Sequence, residues 1–267
     1  MINRSLKDFK KNHKKKLNQV IYYSSKTNGL NEITNLINNF LNEKNSFVFE
    51  SVEKGIIKGR YTIFGKNPDK IWEFNNNNCF IYKKNKKIKI KGNPKNIIEN
   101  IIEKFKFKIP KELPPISSLL SGYFSYDVIR YIEKIPNSCV DDLNIPDIRI
   151  MRPKILIIHD NLINKIYYIS NCYVDEKIKN LPGYYNTIVN KLKNFKRLSF
   201  QSKIERKIFK KNSNKIYVKS NITKKKFKNI VKKAKFYIKK GDVFQVVLSQ
   251  RFEANLSKSP LNIYKKL

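Results

Sequence analysis

Gln245, Ser249 and Arg251 bring an amide, a hydroxyl and a guanidinium into one short stretch, GDVFQVVLSQRFEA, which begins at Gly241. Their spacing puts them on one side of an extended chain, with Val243 and Val247, while Phe244, Val246, Leu248 and Phe252 take the other side. The amide of Gln245 donates and accepts hydrogen bonds but cannot take a proton from water at neutral pH. A two-faced strand whose polar side meets water fits the same pattern. Other reactive side chains are sparse. Asp127 and Arg130 stand at i, i+3 of an expected helix, where an ion pair is the ordinary outcome and a catalytic pair the exception. His159 lies in the apolar run ILIIHD and reads as structural. Cys79, Cys139 and Cys172 are far apart, with no C-x-x-C and no cysteine–histidine cluster to hold zinc. Buried reduced thiols in a reducing, cytoplasmic setting are expected.

The elements that must position these residues follow from periodicity. Phe227, Ile230, Val231, Ala234 and Tyr237 form one apolar helix face, and Gly241 stands where a C-terminal glycine cap belongs. Further helices are expected over residues 33–41, 97–105 and 184–195. Strands are expected over 46–52 and 59–65, around Trp72 and Phe80, and over 88–90 and 243–252. Residues 121–136 read as a strand running into a helix, and residues 151–170 as a hairpin turning near Asn161. Ser259 and Pro260 open a last helix as N-cap and first residue. Strands and helices do not alternate as βαβ, so the expected class is α+β, with mixed, largely antiparallel sheets and flanking helices. Residues 199–219 are polar, basic and weakly patterned, which marks a linker between 1–198 and 220–267.

The formal net charge is +36, which in a nucleic-acid binder would gather on one face or tail. Here lysine is spread through every segment with asparagine and isoleucine, the signature of AT-rich coding, and no specific nucleic acid is expected. The N-terminus lacks an apolar signal region and no run approaches bilayer length, so no membrane partner is expected.

Longer wording narrows the reading. From Ser220, SNITKKKFKNIVKKAKFYIKKGDVFQVVLSQRFEA resembles the opening of the chorismate-using domain of anthranilate synthase component I. FVFESVEKGIIKGRYTIFG is similar to that family's L-L-E-S, spacer, G-R-Y-S-F-I-G block. SGYFSYDVIRYIEKIP is similar to its G-Y-F-x-Y-D-x-x-R-Y-x-E block, and MRPKILIIHDN to its M-x-P-x-x-x-x-x-x-D hairpin. Gly55, Gly59, Gly65, Gly122 and Gly241 all fall inside these blocks, although the chain has only 8 glycines, which favours a shared backbone geometry.

The resemblance implies roles that pattern alone does not. Gln245 takes the place where relatives that add water to chorismate carry a general-base lysine, and a glutamine there fits ammonia as nucleophile. Ser51 would line the L-tryptophan site of feedback-inhibited members. Before Glu50, Val48 and Phe49 replace leucines, which changes the local volume. A complete enzyme of this kind converts chorismate to anthranilate and pyruvate in tryptophan biosynthesis. It uses magnesium, and takes ammonia from a glutamine amidotransferase partner (anthranilate synthase component II) or from solution. The resemblance implies that 1–198 is the regulatory, tryptophan-binding side and that 220–267 is the incomplete start of the catalytic domain. The magnesium ligands would lie beyond Leu267. The expectation is a C-terminally truncated enzyme, a fragment or a piece of a split gene, inactive alone. An aminodeoxychorismate synthase component and a non-enzymatic tryptophan-sensing or assembly module remain as alternatives.

Overall fold

Among the described residues, the two longest strands of the chain pair with each other. A computed structural model describes residues 2–27, 30–41, 43–50, 59–76, 78–84, 86–138, 140–200, 217–255 and 260–264. The first elements are α1 (Leu6–Lys14), β1 (Gln19–Lys26), α2 (Leu30–Phe40), β2 (Phe47–Phe49) and β3 (Tyr61–Asn75). β4 (Asn78–Lys83), β5 (Lys86–Ile90), α3 (Pro94–Lys104), β6 (Ser121–Phe124), β7 (Ile148–Asp160), β8 (Lys165–Cys172) and α4 (Leu181–Phe200) follow. β9 (Val218–Ser220), α5 (Lys224–Lys240), β10 (Phe252–Ala254) and α6 (Pro260–Tyr264) complete the series. The chain separates into two units, Met1–Ile204 and Glu205–Leu267.

Among the described residues, the first unit is built on an eight-stranded sheet of order β1-β8-β7-β3-β4-β5, with β2 added to β3 and β6 to β7. Every pairing in it is antiparallel. β3 and β7 run together from Tyr61↔Asp160 to Phe74↔Ile148. Each changes its outer partner halfway: β7 pairs with β8 over 155–160 and with β6 over 148–151, and β3 pairs with β2 over 63–65 and with β4 over 71–75. The register shifts at the midpoint, between Pro68 and Lys70, beside Asn67 at φ 52°. Pro68 faces Pro153 there, so two residues without an N–H sit where the ladder is already interrupted.

The sheet is covered on both faces. Phe40 of α2 meets Phe64 of β3 and Phe195 of α4, with ring centroids 6.0 and 5.8 Å away. On the opposite face, Leu113 and half-buried Phe107, Ile109 and Ile116 cover Val20, Leu156, Ile158 and Ile169. Ile97 and Ile101 of α3 cover Trp72, Phe74, Ile148 and Ile150. Each fully buried Leu, Ile or Phe of such a core contributes about 1.5–3 kcal/mol. The expected α+β class, with largely antiparallel sheets and flanking helices, is the one observed.

Two block glycines have a visible cause. A Cβ on Gly122 would stand 1.9 Å from the Arg149 carbonyl oxygen, and one on Gly65 would stand 2.2 Å from the Phe47 ring, which lies across the β2–β3 pair. Both positions need the missing side chain for close approach.

Several expectations are corrected. β1 was not foreseen; its first four residues are all buried, so no polar alternation marks it. The two short strands expected near 59–65 and Trp72 are one strand, β3. The helix expected after β6 is a 3-10 turn over Tyr126–Tyr131, ahead of the Ile135-Pro136 pair, where the residue before proline resists the α conformation.

In the second unit, Thr223 caps α5 by accepting from the Lys226 N–H at 3.2 Å. Gly241 ends it at φ 84°, and the Asp242 N–H bonds back to the Tyr237 carbonyl at 3.1 Å. The strand expected over 243–252 is found only as β10, paired antiparallel with β9. A strand needs a hydrogen-bonding neighbour, and among the described residues β9 supplies three positions of one.

Candidate functional site

Gln245 and Ser249 are exposed, in backbone of no regular structure, and make no hydrogen bond among the described residues. Around them Phe244 is 95% and Val247 82% exposed, so both sides of the alternation face water. Arg251 is anchored differently. Its N–H donates to Asn221 Oδ1 at 2.9 Å, its carbonyl accepts from the Asn221 N–H at 3.0 Å, and its guanidinium holds Glu253 at 2.8 Å. The three polar residues of the expected strand therefore do not converge on one ligand within the described residues.

Ser51 lies outside the described residues, as do Cys139, Ser259 and residues 201–216. Its immediate approach is described. β2 places Val48 opposite Phe64 and Phe49 opposite Ile63, and the Phe47 and Phe49 rings lie 4.9 Å apart. Phe49 is half-exposed, with its ring beside that of Phe47.

The far end of the same block is tied down by a pair that sequence reading did not foresee. Arg60 holds Asp160 through two parallel bonds, at 3.0 and 2.7 Å. Asn161 donates its N–H to the Arg60 carbonyl at 2.8 Å and its amide to the Gly59 carbonyl at 3.1 Å. Asp160 is 1% exposed. Burial would raise its carboxyl, but Arg60 and the Leu162 N–H hold it below the usual carboxylate range. The glycine–arginine step and the terminal aspartate–asparagine of the hairpin, two separate blocks of the resemblance, are thus one joint. Its sequence signal was the recurrence of Arg60 and Asp160 inside those blocks.

A second charged cluster surrounds Arg152. It is buried, stacks on the Tyr173 ring at 3.8 Å, and bonds to both Asp69 and Asp175, at 2.8 Å in each case. Lys70 also binds Asp175. Burial opposes the Asp175 charge, yet Arg152 and Lys70 lower its carboxyl to about 2. Asp127 and Arg130 form the expected ion pair at 2.8 Å, and Arg130 also donates to the Ile135 and Pro136 carbonyls, a structural role. His159 is buried within β7. Cys79 and Cys172 are free, buried thiols that burial pushes up to about 11 and about 12. Among the described residues, no three His, Cys, Asp or Glu side chains gather as a metal would require, and no helix is long and apolar enough to cross a membrane.

The profile of a family described as chorismate binding enzyme matches residues 46–267. An anthranilate synthase component 1 from Acetivibrio thermocellus is 37% identical over 227 residues, covering 83% of this chain and 45% of that one. One from Cereibacter sphaeroides is 28% identical over 269 residues, covering 98% and 53%. The crystal structure of anthranilate synthase component I from Streptococcus pneumoniae aligns with a TM-score of 0.60 at 23% identity, covering 82% of this chain and 48% of that one. That likeness concerns the fold. The chain spans about half the length of the relatives it matches.

Proposed function

From the membership of this chain in the chorismate binding enzyme family, we propose that it is part of an anthranilate synthase component I. It would carry the tryptophan-regulated region and the opening of the chorismate domain. The complete enzyme would convert chorismate and ammonia to anthranilate and pyruvate, with a glutamine amidotransferase subunit delivering the ammonia in the cytoplasm. The observation that carries this reading is the family match across 46–267, which runs through both the Ser51 block and the Gln245 block.

Gln245 is assigned to the nucleophile's side of the reaction. Ammonia is already basic enough to attack, so the residue there has to orient and not deprotonate. The amide does this without a charge. Ser51 is assigned to L-tryptophan, whose charged ends would bond its hydroxyl at about 1.5–3 kcal/mol per charge-assisted bond. Inhibition would follow if tryptophan binds one conformation better than the other. Magnesium would supply charge neutralisation at the substrate carboxylate. The described carboxylates do not fit it, since no three of them gather, and Asp69, Asp160 and Asp175 are each engaged by arginine.

The test is a fusion of this chain to the remaining half of the Acetivibrio thermocellus relative. Supplied with chorismate, ammonium and magnesium, the fusion is expected to develop anthranilate fluorescence, and this chain alone to develop none. L-tryptophan should suppress the signal, less so after Ser51→Ala. A folded fusion that makes an amino-chorismate and releases no pyruvate would overturn the assignment.

A further inference from the structure

The first unit holds a cavity of about 430 Å³ that none of the chemistry above uses. It lies between α3 and the β3–β4–β5 end of the sheet. Its floor is apolar: Trp72 of β3, Ile81 directly across from it on β4, Ile90 of β5, and Ile97 and Ile101 of α3. Asn93, Asn96, Asn100 and Lys104 follow one another along α3 at spacings that keep them on one side, and they form the rim. Asn96 and Asn100 make no side-chain hydrogen bond among the described residues, so their amides are available. The volume is that of a small-molecule site, at roughly 300–1,000 Å³.

Charge tells which small molecule. At one end Lys70 and Arg152 line the cavity with Asp175, and these cations are already balanced by Asp175 and Asp69. Asn18 holds that end to the C-terminus of α3. It donates to the Lys104 and Lys106 carbonyls at 3.3 and 3.0 Å, and accepts from the Val174 N–H at 3.0 Å. Lys104 therefore stands near the Asp175 cluster. It has no acidic partner among the described residues, and Glu99 and Glu103 of the same helix do not line the cavity. Lys91, at the other end, is likewise without an acidic partner among the described residues. The lining thus combines an apolar, partly aromatic floor, free amides and uncompensated positive charge. An amino acid would bring an ammonium with no free carboxylate to meet it, because Asp175 is doubly engaged.

We propose that this groove is a binding site for small ring carboxylates, with the ring on Trp72 and Ile101 and the carboxylate toward Lys104. The proposal is independent of the roles assigned to Gln245 and Ser51.

Trp72 is the only tryptophan of the chain, so its emission reports on the floor of the groove alone. The full chain should be titrated with benzoate, with benzylamine, which has the same ring and the opposite charge, and with acetate, which has no ring. A saturable change in Trp72 emission is expected for benzoate and none for the other two. Lys104→Glu should weaken benzoate binding about tenfold, the combined effect of losing one attractive charge and adding a repulsive one. Lys95→Glu, on the same exposed helix but outside the lining, should leave it unchanged, which separates a site from the general attraction of a chain at +36. A linear response to benzoate, an equal response to benzylamine or acetate, or equal weakening by both substitutions would each overturn the proposal.

Discussion

Residues 148–172 and residues 243–252 carry comparable strand signals, and they end in opposite states. The first becomes the β7–β8 hairpin, whose members pair on both sides, and Ile155, Ile157, Ile166 and Tyr168 are buried within it. The second is as rich in valine and phenylalanine, with Gln245, Ser249 and Arg251 on one side of it, yet Phe244 and Val247 lie almost wholly in water, and among the described residues only Phe252–Ala254 pairs. Alternation states which faces a strand would have. It does not supply the neighbour that makes it one. The difference lies in what each segment finds beside it.

The largest effect that sharpens this contrast belongs to Arg152. It is buried between two carboxylates and a ring at the bulge where β3 and β7 change partners. Arg152→Ala leaves Asp69 without its cation and Asp175 with Lys70 alone, and should cost about 3–5 kcal/mol. A urea melt followed at Trp72, which sits in the same unit, measures it. Ile157→Ala comes next. The residue is fully buried in β7, and its loss should cost about 2–5 kcal/mol, depending on how far the cavity collapses.

Acid should act on the same unit. Asp160 and Asp175 both have carboxyls lowered by folding. A lowered carboxyl contributes stability that is complete above its unfolded value of about 3.9 and is lost as pH falls through its folded value. With Asp175 at about 2, the Trp72-monitored urea midpoint should stay level down to about pH 4 and fall between there and about pH 2. Asp160→Asn should remove part of that fall. A midpoint that rises on acidification contradicts the arginine–aspartate joints.

Legibility followed the range of the interaction. The hairpin turn near Asn161, the helices α2 to α5 and the glycine cap at Gly241 could be read because each depends on residues within one or two turns of chain. β1 could not, because Val20, Ile21 and Tyr22 are buried one after another, on both faces, and show no alternation. β3 read as two strands because Gly65 looks like a boundary, whereas the strand runs on through Gly65 and absorbs Pro68 at a bulge. The joint between Arg60 and Asp160 spans 100 positions and has no local signal at all. For the candidate site, Gln245 and Ser51 were named only through resemblance, and their roles stand as proposals. Composition and period described the strand on which Gln245 was expected and were silent about its partner. The groove floored by Trp72 was invisible, since it draws on β3, β4, β5 and α3 together.

The smallest expected effect is the one that most directly tests the contrast. Val247→Ala removes two methyl groups, as a core valine substitution would, but from a side chain 82% exposed. No buried contact is lost and no cavity opens, so the change in stability should stay within about 0.5 kcal/mol. The amide hydrogens of 243–250 should exchange with solvent far faster than those of 155–160, which the β8 and β3 ladders protect. A cost above about 1 kcal/mol, or slow exchange across 243–250, would mean that the segment has found a neighbour in solution. The two regions would then differ in partner and not in state. The Gln245 amide would stand on a true strand, in the setting its proposed role requires.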